Sequence, residues 1–390
     1  MPDFYEFFAG GGMARAGLGR GWTCRFANDF DHKKGRTYEE NWGKGVFKTV
    51  DVGTLSVADL PGRADLAWAS FPCQDLSLAG GGAGLKGVRS GTFWPFWKLM
   101  QSLVATGRGS KMIVLENVCG TLTSHNGKDF AAICAAIQES GYLTGAIVAD
   151  AALFVPQSRP RLFVICVRED AEIPPQCISP KPVAPWHTRI KPAYDRLHPG
   201  AKHGWVWWNP PMPAKRTLTF ADIIEDDPMD VEWYSSQETR RLIAKMSDIN
   251  RAKLDEAKSL KRRLVGGIYR RTRENQSGER VQRAEVRFDI SGCLRTPAGG
   301  SSRQIILMVD GNSVQARLIS SRETARLMGL EDTYVLPENY NEAYHLTGDG
   351  VVVPVVRHLA EHIFEPVIGA TEPGAIAAAP YAAGFSFSGD

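Results

Sequence analysis

The sequence predicts an α/β protein with a parallel sheet covered by helices on both faces, followed by a smaller, mostly irregular or β unit. Three observations support this class. Strand-like apolar runs alternate with helical patterns through about residue 170, and polar side chains follow the ends of several of these runs. Beyond that point the chain becomes rich in Pro and Trp, and then strongly basic.

The alternation rests on five apolar runs and the helical patterns between them. The runs are Asp3–Phe8, Thr23–Ala27, Ala64–Ser70, Lys111–Leu115 and Leu162–Val167. Trp94–Ala105 has an apolar face, and Asp129–Gly141 has the acidic start and glycine stop of a helix. Helices between strands imply a parallel sheet, because a crossover connection is needed to return the chain to the same edge.

Polar residues and glycines follow four of these runs. Gly10–Gly12 follows the first, Asp29 the second, Cys73 the third and Glu116 the fourth. Ligands of open α/β sheets bind at the carboxyl ends of the strands. We therefore expect these residues to lie around one site.

The later part of the chain predicts a separate unit. Residues 176 to about 315 form this second domain, while 1–175 and about 316–368 form the first, discontinuous one. Residues 237–263 have the pattern of a charged helix. Ser320 and Glu323 have the spacing of a capping box, and Val351–Phe364 forms a final helix. An Ala/Gly/Pro/Ser-rich tail over 370–390 predicts disorder.

Composition limits the classes of function. No apolar run approaches the roughly 20 residues of a membrane helix, and the N-terminus lacks the pattern of a signal peptide. We therefore expect a cytoplasmic, monomeric protein without a membrane partner. Seven scattered cysteines, with no C-x-x-C pair, argue against a disulfide framework and against a zinc site.

Charge is unevenly distributed along the chain. Residues 181–290 contain 22 Lys and Arg against 15 Asp and Glu, whereas the rest contains 24 against 28. A basic segment of this kind fits a surface that faces phosphate, and it equally fits a solvated basic surface.

Each candidate site residue also has an ordinary structural interpretation. The glycines after the first strand fit a nucleotide-like cofactor or a simple turn, and Asp29 fits a ribose ligand. Cys73 fits a nucleophile at a strand end or a small buried hydrophobe. Glu116 fits a catalytic carboxylate or a helix cap. The guanidiniums of Arg159 and Arg161 fit a substrate site or a salt-bridged loop.

The order of the motifs separates these interpretations. The chain contains F-A-G-G-G, N-D-F-D, F-P-C-Q, L-E-N-V and Q-S-R-P-R, then a basic stretch, then R-T-P-A-G-G-S-S-R. This series resembles the cytosine-C5 DNA methyltransferase family over roughly residues 4–168 and 288–365. The resemblance implies a Rossmann-like methyltransferase domain followed by a target-recognition domain.

The resemblance implies S-adenosylmethionine as the methyl donor, with no metal. In this family the residues matching Asp29, Phe30 and Asp51 contact the ribose, the adenine face and the adenine amino group. The complete implied donor pocket is Phe8, Gly10, Gly12, Asp29, Phe30, Asp51 and Pro72.

The resemblance also implies the catalytic residues. Cys73 matches the nucleophile that adds to C6 of cytosine, and Glu116 matches the carboxylate that engages N3 and the exocyclic amine. Arg161 matches the arginine near O2, and Arg159 a supporting one. The partner implied is double-stranded DNA with the target base flipped out of the helix, and a restriction endonuclease is a further candidate partner.

Three departures from the family pattern stand out. Glu6 replaces a usual aspartate, Met13 a common glycine, and Asp349 the usual asparagine of the C-terminal motif G-N-[ASG]-V. Two other functions remain open. A branch of the family methylates tRNA, although its C-F-T signature is absent here, and a catalytically silent DNA-binding module is the second alternative.

Overall fold

The larger unit is built on a nine-stranded sheet. A computed structural model describes residues 1–72, 90–274, 280–295 and 303–370. The strand order is β3-β2-β1-β4-β5-β7-β6-β9-β8. The strands are β1 (Asp3–Phe7), β2 (Thr23–Asp29), β3 (Phe47–Thr49), β4 (Leu66–Ala69), β5 (Met112–Val118), β6 (Tyr142–Asp150), β7 (Pro160–Arg168), β8 (Ile178–Ser179) and β9 (Trp205–Trp208). The five predicted strands are all present, and four more join them.

One strand in the middle of this sheet runs against its neighbours. β7 is antiparallel to both β5 and β6, whereas β3, β2, β1, β4 and β5 pair in parallel. The sheet is therefore mixed rather than wholly parallel. The chain turns directly from β6 into β7 through a short segment, 151–159, instead of crossing over through a helix.

Helices cover both faces of the sheet and create two apolar cores. The predicted helices at 94–105 and 129–141 correspond to Phe93–Ala105 and Lys128–Glu139. The helices of this unit up to residue 203 are α1 (Met13–Leu18), α2 (His32–Trp42), α3 (Phe93–Ala105), α4 (Lys128–Glu139), α5 (Lys191–Asp195) and α6 (Pro199–His203).

Part of the segment that the sequence assigns to the second domain extends the large sheet. β9 pairs with β6, and β8 pairs with β9, so residues 178–208 extend the large sheet. Trp208 is fully buried there. A start of the second domain at residue 176 therefore does not coincide with the division between the sheets, and we propose a boundary near residue 212. The pairing of β9 with the large sheet was not predicted, because this Trp-rich run has only four residues and shows no periodicity.

The smaller unit is more regular than predicted. Its antiparallel sheet has the order β11-β10-β12-β13. These strands are β10 (Arg263–Glu274), β11 (Arg280–Phe288), β12 (Ile305–Asp310) and β13 (Ser313–Leu318). The single helix predicted over 237–263 is wrong, since the segment forms α7 (Ser236–Ala244) and α8 (Asp248–Ser259) and then enters β10. Both helices pack on one face of the small sheet.

The chain then returns to the larger unit. The capping box of Ser320 and Glu323 is present and starts α9 (Ser321–Leu327). Three more helices follow, α10 (Tyr340–Asp349), α11 (Val353–Leu359) and α12 (Glu365–Gly369), with a π-helical turn at 360–364. No helix in the described part of the chain is long and apolar enough to cross a membrane. The predicted tail from 371 lies outside the described residues.

A buried ion pair connects the smaller unit to the segment that returns to the larger one. Arg317 at the end of β13 and Glu323 in α9 have no exposed side-chain surface and approach to 2.5 Å. The guanidinium also donates to the carbonyl of Glu225 and lies 4.8 Å from the Trp233 ring centroid. The last strand of the small sheet is thereby tied to the first helix of the returning segment.

Candidate active site

Glu116 and Arg161 meet at the carboxyl end of β5. The Nε of Arg161 lies 3.3 Å from Oε1 of Glu116, and both side chains are largely buried. Burial raises the pKa of Glu116, while Arg161, Arg159 and a hydrogen bond from Ser70 act in the opposite direction. The site thus holds a carboxyl group whose proton affinity is above the ordinary value, beside a guanidinium.

The reversed direction of β7 explains how these residues meet. Val118 pairs with Arg161, and Glu116 pairs with Phe163, so the start of β7 lies at the end of β5. In a parallel sheet the start of β7 would lie at the opposite edge. A wholly parallel sheet would therefore have separated Arg161 from Glu116, and the antiparallel direction of β7 is what brings these two predicted residues together.

Arg159 holds backbone rather than a carboxylate. Its side chain is 2% exposed, and it donates to the carbonyls of Leu294, Gly348 and Gly350, each at 2.7 Å. Burial lowers the pKa of Arg159, with the Arg161 charge acting in the same direction. Arg159 thus joins the loop before β7 to the segment after β11 and to the C-terminal motif.

The strand end that precedes Cys73 is held by an amide. Asn117 Nδ2 donates to the carbonyl of Phe71 at 3.1 Å, and its Oδ1 accepts from Thr121 at 3.2 Å. Pro72 is half-buried directly after this contact. Cys73 itself lies outside the described residues, as does the glycine-rich run that follows it. Asn117 adjoins Glu116 in the chain, but its positioning role was not predicted from the sequence.

The glycine turn after β1 adopts a conformation that favours glycine. Gly10 has φ 55° and Gly12 has φ 78°. Asp29 Oδ2 accepts from the Gly10 N–H at 2.9 Å, which connects the ends of β1 and β2. Phe8 also has a positive φ, of 55°, and is half-buried against Phe96. Four of the predicted donor residues are therefore in one turn and the strand end beside it.

Two side chains hold this glycine turn in place through hydrogen bonds. Tyr334 Oη and Trp42 Nε1 both donate to the carbonyl of Gly11, at 2.7 and 3.0 Å. A Cβ atom on Gly11 would come within 2.3 Å of the Tyr334 hydroxyl, so no side chain fits there. The sequence gives little sign of these contacts, because Tyr334 lies more than 320 residues away along the chain.

Phe30 and Asp51 follow neighbouring strands. Phe30 comes directly after β2 and is 68% exposed, which is unusual for a large apolar side chain beside a buried carboxylate. Val50 N donates to the carbonyl of Asp29 at 3.0 Å, so Asp51 follows at the same edge of the sheet. Asp51 is exposed and its Oδ1 accepts from Gly53 N. An exposed ring, an acid and a glycine turn fit a nucleoside.

The departure at Asp349 has a partner of opposite charge. Lys34 Nζ lies 2.8 Å from Asp349 Oδ2. Burial alone would lower the pKa of Lys34, but Asp349, Asp29 and Asp31 together raise it above the ordinary value. The lysine therefore lies among three carboxylates at the predicted donor pocket, and it offsets the charge that aspartate brings to this motif.

The departures at Met13 and Glu6 are also accommodated. A Cβ on Gly350 would lie 2.2 Å from Met13 Sδ, so Met13 fills the space that Gly350 leaves. Glu6 is buried beneath the glycine turn and accepts from Arg15 N and Tyr38 Oη, both at 3.2 Å. Burial raises the pKa of Glu6 to about 7.

The basic strand pair of the small sheet has two different faces. One face, with Ile268 and Val286, packs on α7 and α8. Cross-strand pairs share a face in an antiparallel ladder, so Tyr269 with Glu285 and Arg271 with Arg283 lie on the other face. That face borders a cavity whose opposite wall comes from the loop before β7. Part of the basic segment is therefore turned toward the candidate active site.

The series of motifs in the sequence has a counterpart in known proteins. Residues 3–365 match the family described as C-5 cytosine-specific DNA methylase. The Type II methyltransferase M.HpaII of Haemophilus parainfluenzae is 24% identical over 93% of this chain and 89% of its own length. The Type II methyltransferase M.Bsp6I of Bacillus sp. (strain RFL6) is 25% identical over 88% and 91%.

Solved structures share the fold. The Dnmt2 methyltransferase of S. pombe superposes with a TM-score of 0.59 at 16% identity, covering 94% of this chain and 99% of that one. The Entamoeba histolytica methyltransferase EhMeth gives a TM-score of 0.57 at 14% identity, covering 94% and 98%. At such identities these neighbours establish the fold, which is the Rossmann-like methyltransferase architecture predicted from the sequence.

Proposed function

The chain belongs to the C-5 cytosine-specific DNA methylase family, and on this premise we propose that it methylates carbon 5 of a flipped-out cytosine in double-stranded DNA. The observation that carries the proposal is the buried pair of Glu116 and Arg161 at the strand end beside Phe71 and Pro72. A carboxyl of raised pKa next to a guanidinium suits the edge of a cytosine, which offers N3, an amino group and O2.

S-adenosylmethionine supplies an electrophilic methyl group when it is bound. The described residues fit it: Gly10 leaves room for close approach, Asp29 presents a carboxylate, and the exposed ring of Phe30 offers a face for adenine. We propose that Phe8, Asp51 and Pro72 complete this pocket. Asp29 is held in place by Gly10 N and Asp31 N.

The protein's own residues then act on the cytosine. The Cys73 thiolate adds to C6, which makes C5 nucleophilic toward the methyl group. Glu116 donates a hydrogen bond or proton to N3 and so stabilises the charge that develops on the ring. Arg161 contacts O2 and orients the Glu116 carboxyl, while Arg159 holds the loop that carries Arg161. Loss of the C5 proton expels Cys73.

The second unit favours DNA over tRNA as the substrate. It presents a strand pair with arginines at several positions on the face turned toward the active site. Such arginines contact phosphates, which orient DNA, and base edges, which specify a sequence. The names of the relatives as Type II methyltransferases support an endonuclease of the same specificity as a partner, and we propose action as a monomer in the cytoplasm.

The proposal is tested by trapping the covalent intermediate. We expect purified protein and S-adenosylmethionine to form a denaturation-resistant adduct with duplex DNA containing 5-fluorocytosine, because fluorine at C5 cannot leave as a proton does. Cys73→Ser should abolish the adduct, whereas Cys134→Ser, a matched change in a buried helix cysteine, should retain it. Transfer of labelled methyl groups to tRNA and not to DNA would refute the proposal, as would an adduct that still forms with Cys73→Ser.

A further inference from the structure

A cavity of ≈ 200 Å³ lies between the two units, next to the active-site arginines. Its lining includes Ser158 and Pro160 from the larger unit, Tyr269 and Arg287 from the basic strand pair, and Gln304 just before β12. We propose that this cavity receives the edge of a DNA base near the target cytosine and that Gln304 reads that base. The inference rests on the proposed methylation of DNA and names a residue that determines which sequence is methylated.

The side-chain amide of Gln304 is buried without satisfying its own hydrogen bonds. The residue has 0% exposure, and neither Nε2 nor Oε1 finds a hydrogen-bond partner among the described residues. Its backbone, in contrast, is fixed by Tyr344 Oη and Ile319 N, both at 3.1 Å. Buried amides in native proteins are nearly always paired, so a rigidly held one that is not indicates a missing ligand.

Two glycines leave the space next to this buried amide free of side chains. A Cβ on Gly292 would lie 3.0 Å from Gln304 Nε2, and a Cβ on Gly267 would lie 3.6 Å from Oε1. Both glycines line the same cavity. A side chain at either position would occupy the space through which a ligand reaches the amide.

The chemistry of the walls fits a base better than a phosphate. The Gln304 amide offers a donor and an acceptor side by side, and Glu285 adds a carboxylate acceptor. A phosphate presents only acceptors, so it would leave Gln304 Oε1 without a donor and would place a second negative charge beside Glu285. A base edge presents both kinds of group, and adenine is the base that glutamine most often reads through a pair of hydrogen bonds.

The basic groups around the cavity are held in place by other side chains. The guanidinium of Arg271 lies 5.1 Å from the Tyr269 ring centroid and 3.6 Å from Glu285, and that of Arg295 lies 5.8 Å from the same ring. Contacts of this kind restrain the arginines before DNA arrives. The positive charges of Arg271 and Arg295 remain available to the DNA backbone, whereas the Gln304 side chain is buried.

The cavity is one residue away from the catalytic arginine. Cys293, which lines it, has its Sγ 3.3 Å from Arg159 Nη1 and 3.9 Å from Arg161 Nη2. Since Arg161 is proposed to contact the target cytosine, a base in the cavity would be close to that cytosine in the DNA. The position read by Gln304 should therefore adjoin the methylated base or lie within the same short site.

The test compares the sequence preference of Gln304 variants. Random-sequence duplex DNA is methylated by the wild-type protein, Gln304→Met and Gln304→Glu, and the methylated sites are determined by bisulfite sequencing. We expect each variant to lose about tenfold or more of the preference at one position near the cytosine and to retain the others. Gln304→Met should also raise the Tm of the free protein, because it removes two unsatisfied polar atoms.

Arg283→Ala is the matched control. Arg283 lies on β11, on the same face as the cavity residues Glu285 and Arg287. It does not line the cavity, and it is exposed. It should change affinity equally for all sequences. An unchanged preference in both Gln304 variants, or a uniform loss of affinity, would overturn the inference while leaving the proposed function intact. Absence of DNA methylation by the wild-type protein would instead overturn the proposed function, and this inference with it.

Discussion

Arg161 Nε lies 3.3 Å from Glu116 Oε1, across the antiparallel pair of β5 and β7. The guanidinium keeps the pKa of Glu116 lower than burial alone would make it. One charge therefore has two proposed effects: it contacts the target cytosine, and it lowers the proton affinity of the neighbouring acid. The two effects can be separated by measurements over a range of pH.

Arg161→Gln should slow methyl transfer by roughly 100-fold or more, as expected for removal of a charged group at a reacting base. It should also raise the pKa of Glu116 further. Because the protonated form is the proposed donor to N3, the alkaline limb of the single-turnover rate profile should move to higher pH. Arg168→Gln is the control, because Arg168 lies on the same strand as Arg161 but pairs with Asp170 at the surface. A limb that stays in place or moves down would argue against this coupling.

Lys34→Met should favour the charged donor over its uncharged product. The change leaves Asp29, Asp31 and Asp349 without the lysine that now lies among them. The sulfonium of S-adenosylmethionine is positive, whereas the sulfur of S-adenosylhomocysteine is neutral. Removing one nearby positive charge is worth roughly 1 kcal/mol at such a site, or about fivefold in the ratio of the two dissociation constants.

Calorimetric titration with both ligands measures that ratio. Lys33→Met is the control, because Lys33 is the adjacent residue but pairs with Glu342 and is 61% exposed in its side chain. Equal weakening of both ligands by Lys34→Met would mean that Lys34 acts on the shared part of the molecules and not on the sulfur charge.

Gly350→Ala should destabilise the fold through Met13 alone. Gly350 has φ −73°, which alanine adopts freely, but its new methyl group would meet Met13 Sδ at 2.2 Å. Overpacking of this kind costs about 1–3 kcal/mol. The combination with Met13→Ala should cost less than the sum of the two single changes, as determined by urea denaturation.

Gly21→Ala is the control for that cycle, since a methyl group there meets nothing within 4 Å. Additive effects of the Met13 and Gly350 changes would show that the two side chains do not share one space.

Glu6→Gln should stabilise the protein at alkaline pH. Burial raises the pKa of Glu6 from 4.5 to about 7. A carboxyl with a raised folded-state pKa stabilises the fold fully below its unfolded pKa, and this contribution is lost as pH rises through the folded value. Glutamine is neutral throughout, so its advantage should be absent near pH 4.5 and reach on the order of 3 kcal/mol above pH 7.

Urea midpoints measured at several pH values provide the comparison. Glu40→Gln, on the exposed side of α2, should show no such growth with pH. A Glu6→Gln variant that is less stable than wild type at pH 8 would mean that the charged form is the one the buried cluster of Arg15 and Tyr38 stabilises.

The sequence allowed the strand ends and several local features to be predicted. Asp29 and Glu116 are both buried at the carboxyl edge of the large sheet, and Ser320 caps α9 through Glu323 as its spacing indicates. These features depend on local patterns of apolar, acidic and capping residues. Cys73, the residue on which the chemistry depends, remains a prediction from the motif order.

The direction of β7 and the boundary of the second unit were beyond the reach of local patterns. A buried strand reads the same in either direction, so Leu162–Val167 gives no sign that β7 is antiparallel. β6 was missed because Tyr142–Asp150 follows a helix directly, and β9 because it has four residues. The carbonyl partners of Arg159 are more than 130 residues away and carry no side-chain signature.

The position of Arg159 links two binding equilibria. One guanidinium holds the carbonyl of Leu294, in the segment that leads from the small sheet, and those of Gly348 and Gly350, beside the donor pocket. If DNA binding moves the smaller unit and displaces Leu294, Arg159 should transmit this displacement to Gly348 and Gly350. We therefore expect the affinities for DNA and for the methyl donor to be thermodynamically coupled, so that each ligand changes the affinity for the other by the same factor.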